Sequence, residues 1–176
     1  LRRFMGDDVL HALTISCENF TKLDFSGCGE LTETSIGLEL VTRHAHSLEE
    51  LNVARVKKLS SRAVRAVLTR CEKLVKLVVD GCPLVEEATF LASKLPPGLK
   101  HLSMNDCPGV GDGALRHLAR TLGPTLEVLN VARCPRVSDK SVRLLANFCT
   151  GLVTLDLSRR VEKGLPGTYV VLSDEA

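Results

Sequence analysis

The chain has 176 residues and a net charge of +2, from 23 basic and 21 acidic residues. This near balance of charge does not indicate binding to nucleic acid or to an anionic membrane. No apolar run approaches the roughly 20 residues that a membrane-spanning helix needs. Aromatic residues make up only 3% of the chain, so the core must be built mainly from Leu, Val and Ala. Such a core suits thin repeated layers better than one globular centre.

In chain order, the first element is a predicted helix over residues 7–17, which reads as the second half of a repeat whose strand would lie upstream. Six gapless segments follow, at residues 20–28, 48–56, 74–82, 99–107, 126–134 and 152–160. Each reads apolar-x-x-Leu-x-apolar-x-x-Cys, with other residues at the last position in the second and sixth. The leucine at the fourth position recurs at a nearly constant interval, as Leu23, Leu51, Leu77, Leu102, Leu129 and Leu155. This regular period predicts a repeat protein.

Each segment predicts one short strand. The leucine and the apolar residue two positions later point to the same face, and the residues between them point to the other. The ninth position turns the chain inward. Its side chain is mostly a thiol, which is small, tolerates burial and donates weakly to a backbone carbonyl.

Apolar residues at helical spacing follow each of the first five strands, which predicts outer helices over 31–41, 59–68, 85–92, 110–119 and 137–146. Four polar residues are predicted N-caps of these helices, namely Thr32, Ser60, Asp112 and Ser138. The glycine- and proline-rich stretches 95–98 and 122–124 end two of the helices. One strand and one helix cannot bury an apolar face alone, so the coils must stack into a continuous core.

The predicted fold class is therefore α/β: a right-handed leucine-rich-repeat solenoid arc with parallel strands inside and helices outside. Residues 1–160 form the array, of about six repeats with the first one partial, and residues 161–176 form a C-terminal cap or tail.

The turns Cys28-Gly29-Glu30-Leu31-Thr32-Glu33 and Cys134-Pro135-Arg136-Val137-Ser138-Asp139 resemble those of cysteine-containing leucine-rich-repeat proteins, typical of the F-box/leucine-rich-repeat family and its relatives. The resemblance covers roughly residues 7–160. It implies a solenoid that binds a protein partner, often a substrate destined for ubiquitination. Similar repeats occur in subunits of axonemal regulatory complexes and in mitochondrial assembly factors, so the resemblance leaves both kinds of role open.

The seven cysteines are widely spaced, odd in number and include no C-x-x-C pair. This pattern argues against a disulfide framework and favours a reducing intracellular compartment. We expect a cytoplasmic protein, with the nucleus, axoneme or mitochondrion as alternatives. Zinc would need four ligands and a paired spacing that is absent, so no metal is predicted. The glycine-rich run 109–113 lacks the Lys-Ser/Thr of a phosphate-binding loop, so no nucleotide or other cofactor is predicted either.

The candidate partner-binding surface is the concave face, formed by the third, fifth, seventh and eighth positions of each segment. These positions vary between repeats in a way that the core does not constrain. The candidate residues are Arg55, Asp80, His101, Asn105, Asp106, Asn130, Arg133, Asp156 and Arg159. Arginine is enriched at interface anchors, and Arg133 and Arg159 belong to neighbouring coils. We therefore expect them to grip an acidic or phosphorylated segment together.

The function that the sequence favours is a non-enzymatic protein–protein interaction module, the substrate-recognition or adaptor segment of an F-box-type ubiquitin ligase. The alternative is a structural subunit of a large assembly, such as an axonemal or mitochondrial complex. No Ser-His-Asp or Cys-His arrangement is supported by the repeat, and four of the five histidines fall on the outer layer. The partners are expected to be proteins, held on the concave face or at the open N-terminal coil.

Overall fold

The computed structural model describes residues 6–17, 19–32, 41–91 and 94–158. Over these residues six parallel strands form one sheet in sequence order. The strands are β1 (Lys22–Asp24), β2 (Glu50–Asn52), β3 (Lys76–Val78), β4 (His101–Ser103), β5 (Val128–Asn130) and β6 (Thr154–Asp156). We number the coils 1 to 6 by their strands. The predicted C-terminal segment 161–176 and Arg159 lie outside the described residues.

The register of the sheet reproduces the sequence alignment. Each strand places its leucine opposite the leucine of the next, as in Leu51 beside Leu77 and Leu77 beside Leu102. The apolar residue two positions later is buried with it: Leu102 and Met104 are both fully buried. The predicted solenoid of parallel inner strands with helices beside them is thus confirmed.

Helices form the outer layer at α1 (Asp7–Ser16), α2 (Val41–His44), α3 (Ser61–Arg70), α4 (Asp112–Leu122) and α5 (Asp139–Phe148). The helices α3 and α4 each bury one apolar stripe in the core of the repeat. In α3 this stripe consists of Ala63, Val64, Val67 and Leu68. The other face of α3 exposes Arg62, Arg65 and Arg70, the amphipathic pattern of a surface helix. The pattern is weaker in α1, which exposes Val9 and Ile15.

The helix predicted over 85–92 is wrong. Coil 3 instead holds a single 3₁₀ turn, Glu87–Thr89, and residues 92–93 lie outside the described part. This coil is the shortest, and its chain reaches Pro96 and Pro97 soon after the turn. Proline has no backbone N–H and restricts the residue before it, so a helix has no room to continue. Phe90, which is fully buried, fills the interior of this coil.

Two of the four predicted N-caps are confirmed and one is wrong. The hydroxyl of Ser60 accepts from the N–H of Ala63 at 3.4 Å, and that of Ser138 accepts from the N–H of Lys140 at 3.3 Å, so both are confirmed as caps. Asp112 is not a cap, because the N-cap of α4 is Gly111 and Asp112 is the first helical residue. The helix predicted after Thr32 falls largely on residues 33–40, outside the described part.

Asp112 joins its coil to the next one instead. Its carboxylate accepts from the N–H of Ser138 at 2.7 Å and from the hydroxyls of Ser138 and Ser141. Asp7, at the equivalent position of the first helix, accepts in the same way from the N–H of Thr32 at 2.9 Å. The sequence signal for this contact is a Gly-Asp pair followed 25 or 26 residues later by Thr or Ser.

The cysteine at the ninth position also joins neighbouring coils. The thiols of Cys82, Cys107 and Cys134 donate to the carbonyls at the sixth position of the preceding coil, at 3.1–3.3 Å. All three cysteines are buried. Burial disfavours the charged thiolate and raises the pKa of Cys82 to about 11 and that of Cys107 to about 12.

One histidine departs from the expected surface location. His44, at the end of α2, is buried, and its ring lies 5.0 Å from that of Phe20. It therefore packs as part of the N-terminal core.

We predict that Leu102→Ala lowers the free energy of unfolding by about 2–5 kcal/mol, because it removes buried methyl groups between two coils and leaves a cavity. Denaturant melts measure this loss, with Lys100→Ala, at an exposed position of the same coil, as the control. A loss below about 1 kcal/mol for Leu102→Ala would contradict the observed register.

We predict that all seven cysteines are free thiols when counted under denaturing, non-reducing conditions. In the native protein at neutral pH, an alkylating reagent should modify Cys17, which is partly exposed, before the buried Cys107. Since the buried thiols ionise well above the ordinary pKa of 9.0, stability should also fall as the pH rises above about 9. Two or more bridged cysteines, or early modification of Cys107, would contradict this account.

Candidate functional site: the concave face

The concave face carries eight of the nine residues that the sequence singled out. Arg55, Asp80, Asn105, Asp106 and Arg133 lie in the turns that follow the strands, and the other three lie in strands. The structure divides these side chains into some that hold the coils together and some that the fold leaves unused.

Asp80 and Asn105 belong to the first group. Asp80 accepts from the N–H of Asn105 at 2.8 Å and from the hydroxyl of Ser103 at 2.7 Å, both on the next coil. Asn105 in turn accepts from the N–H of Ala132, again one coil further, at 2.7 Å. These side chains satisfy backbone donors that the strand ladder does not reach.

In other coils the side chain at the fifth position accepts from the seventh-position N–H of the same turn. Asp24 accepts from the N–H of Ser26, Asn52 from that of Ala54, and Asp156 from that of Ser158, at 2.8–3.1 Å. In five of the six coils the seventh-position amide is therefore held by a side chain of its own coil or of the preceding one. The sequence signal for these bonds is the recurrence of Asp and Asn at the fifth and seventh positions, which predicts contacts with a partner and, in the structure, also serves the fold.

The eighth position is constrained by the backbone. Arg55, Asp106 and Arg133 have φ values of 61°, 55° and 56°, and Gly27 and Gly81 share this left-handed conformation. The conformation points each N–H at the seventh-position carbonyl of the next coil, as from Arg55 to Asp80 at 2.7 Å. The expectation that this column varies without constraint is therefore wrong, since residues other than glycine, asparagine and aspartate cost about 1–2 kcal/mol in this conformation.

Arg133 is already engaged within the face. Its guanidinium donates two hydrogen bonds to Asp106, at 2.6 and 2.5 Å. Asp106 is also the main cause that raises the pKa of Arg133. An acidic segment gripped by Arg133, as the sequence led us to expect, would have to compete with this carboxylate.

Two predicted residues, Arg55 and Asn130, keep side chains that the fold does not use for hydrogen bonds within the described part of the chain. The side chain of Asn130 has no backbone donor to bind in its own turn, because the N–H of Ala132 donates to Asn105 of the preceding coil instead. The imidazole of His101 lies 3.8 Å from the carboxylate of Glu127, which also pairs with Lys100 at 2.7 Å. Glu127 was missed by the sequence reasoning, although its charge is opposite to that of Lys100 one coil earlier.

The N-terminal half of the face is a shallow groove over β1 to β3. At its rim Lys22 pairs with Glu50 at 2.6 Å. The hydrogen bond from Lys22 is the main cause that lowers the pKa of Glu50. Lys76 follows on the next strand, so charge of both signs alternates across this groove and largely neutralises itself.

Within the described ranges, no group of three or more His, Cys, Asp and Glu side chains is placed to hold a metal ion. Among the same residues, no helix is both long and apolar enough to cross a membrane.

Comparison with known proteins bears on the fold. No family model matches the sequence. A chain of the crystal structure of the yeast Rad7 and Elc1 complex superimposes with a TM-score of 0.73 at 19% identity, over 93% of this chain and 40% of that one. The leiomodin-1 actin-binding site 2 superimposes with a TM-score of 0.56 at 12% identity, over 81% of this chain and 86% of that one. At these identities the likeness concerns the fold alone, and our chain spans less than half the length of the Rad7–Elc1 match.

We predict that Asp80→Ala and Asn130→Ala differ sharply in stability although both lie on the concave face. Asp80→Ala leaves the Asn105 amide and the buried Ser103 hydroxyl without an acceptor, and should cost about 1–3 kcal/mol. Asn130→Ala removes no hydrogen bond and should cost less than about 0.5 kcal/mol. Denaturant melts compare the two variants. Equal losses of stability would contradict the inference that Asp80 joins neighbouring coils and that Asn130 does not.

Proposed function

We propose that the chain is a non-enzymatic protein–protein interaction module whose partner docks on the concave face over β4 to β6. The observation that carries this proposal is the side chain of Asn130, which the fold does not use, together with the partly exposed imidazole of His101 on the neighbouring strand, which contacts Glu127 at the surface. His101 and Asn130 project from strands whose Leu102 and Leu129 are fully buried. A site on packed strands is held rigidly, which lowers the ordering cost of binding.

The chemistry of this part of the face favours a polar polypeptide segment as the partner. Asn130 offers both donors and acceptors, Asp156 keeps one carboxylate oxygen beyond its bond to Ser158, and the imidazole of His101 is partly exposed. No large aromatic anchor lies among the inward strand positions. Binding would therefore rest on hydrogen bonds and charge, which confer specificity. The names of both structural neighbours refer to protein partners, Elc1 in one case and actin in the other.

The finer form of the proposal is a substrate-recognition or adaptor segment of an F-box-type ubiquitin ligase, working in a reducing intracellular compartment. The support for it is the resemblance of the cysteine-containing turns to that family. The inter-coil bonds of Cys82, Cys107 and Cys134 give these cysteines a structural use that suits such a compartment.

The experiment uses the full-length protein in its own cells, with a photo-crosslinking amino acid at position 130. The same group at Lys57, an exposed turn residue outside the concave face, is the matched control. We predict a protein that crosslinks from position 130 and not from position 57. In a purified system, Asn130→Arg should weaken binding of that protein by more than about tenfold, because a large charged group replaces a small amide at the contact. Lys57→Glu should leave binding unchanged.

The same variants test the finer form. A substrate of a ligase should lose ubiquitination in cells that carry Asn130→Arg. A captured protein that stays unmodified and co-purifies in fixed stoichiometry with a large particle would identify a structural subunit instead. Unchanged affinity in a folded Asn130→Arg variant would contradict the concave-face proposal altogether.

A further inference from the structure

The outer helices carry a group of basic side chains that the concave-face proposal does not use. Arg116 and Arg120 of α4, and Lys140 and Arg143 of α5, are all exposed. We call these four residues the outer arginine cluster. They lie on neighbouring coils, since α4 and α5 pack against each other.

The repeat places these cations beside one another. Arg116 and Arg143 occupy the same position, five residues after Gly111 and Ser138, which precede their helices. Equivalent positions on packed helices lie about 10 Å apart. In α3 the residue at this position, Arg65, donates to the carbonyl of Ala88 on the next coil at 2.9 Å. The residue equivalent to Ala88 in the coil after Arg116 is Lys140, which brings a further cation into this region.

Elsewhere on the described surface, many exposed cations pair with carboxylates at 2.5–3.0 Å. These are Lys22, Lys58, Lys94, Lys100 and Arg133. No member of the outer arginine cluster forms an ion pair within the described ranges. The cluster is thus a local surplus of positive charge on a chain that is nearly neutral overall.

Two acidic residues lie on the same helices without neutralising the cluster. Asp112 uses its carboxylate on Ser138 and Ser141, and Lys140 contributes only a small part to the lowering of its pKa. Asp139 is one helical turn before Arg143 but forms no ion pair with it. Like charges three or four residues apart, as in Arg116 with Arg120, destabilise a helix. The cluster is therefore unfavourable for the isolated solenoid and favourable against an anion.

We propose that the outer arginine cluster binds an acidic polypeptide segment, rich in Asp and Glu, of a second protein. Guanidinium groups form paired hydrogen bonds with carboxylates, and four cations across two helices match an extended acidic strand. Protein domains that bind nucleic acid are usually much more basic than this chain, whose net charge is +2. The cluster lies on the helices, away from the strand face, so both surfaces can be occupied together.

The experiment measures binding of a fluorescent peptide of about ten Glu and Asp residues to the purified chain by anisotropy at low ionic strength. The triple variant Arg116→Gln, Arg120→Gln and Arg143→Gln should weaken binding by at least about fivefold, since glutamine keeps helix propensity and removes the charge. The matched control removes three positive charges from exposed turns, as Lys57→Gln, Lys58→Gln and Lys73→Gln, and should retain binding within about twofold.

The outcomes separate the alternatives. Circular dichroism melts establish that both triple variants fold. Loss of binding in the cluster variant alone, with weaker binding of the wild type as salt rises from about 50 to 200 mM, supports the proposal. Equal loss in both variants, or no binding by the wild type, overturns it. Tighter binding of a mixed-sequence DNA duplex than of the peptide at the same salt would also overturn it in favour of a nucleic-acid partner.

Discussion

The stacking of one coil on the next is the constraint on which the rest of this structure depends. A three-residue strand and one short helix cannot exclude water from both sides of their apolar residues. Leu77 and Leu102 are fully buried because each lies between the equivalent leucines of two neighbours. The stability of any coil is therefore a property of its neighbours as well as of its own sequence, and the polar contacts between coils follow from the same need.

Those polar contacts divide the repeat into zones. At the turn after the strand, a thiol such as Cys107 donates to the preceding coil, and the left-handed residue of the eighth position donates to the next. At the helix start, Asp112 accepts from the following coil. Each contact satisfies a buried or half-buried group that the regular ladder leaves over. The side chains available for recognition are those that remain after this requirement is met.

The sequence was sufficient for the fold because each level of its pattern agrees with the others. The leucine column predicted the register residue by residue, and the thiol donors followed from the size and chemistry of cysteine. The concave face was harder to interpret. A sequence pattern shows that Asp80 and Asn130 both point inward, but whether each side chain is used depends on which backbone donor the neighbouring coil leaves unpaired. The same holds for Arg133, whose carboxylate partner lies 27 residues away.

The repeat pattern also could not predict local departures from the regular coil. Coil 3 contains apolar residues at helical spacing, yet its length and Pro96 leave it with one 3₁₀ turn. Such a deviation depends on how many residues are available to return the chain to the next strand. The glycine at position 123 is another case: a side chain there would meet the carbonyls of Ala119 and Phe148, a closeness that only the packed helices reveal.

The most direct test of this account is amide hydrogen exchange at Asn105 and Ala132. Both amides lie in turns at the edge of the concave face, where exchange would ordinarily be fast. Because Asp80 and Asn105 hold them from the preceding coils, the account predicts protection comparable to that of the strand amides. Exchange at the rate of an open loop would contradict it, and would mean that these side chains do not join the coils.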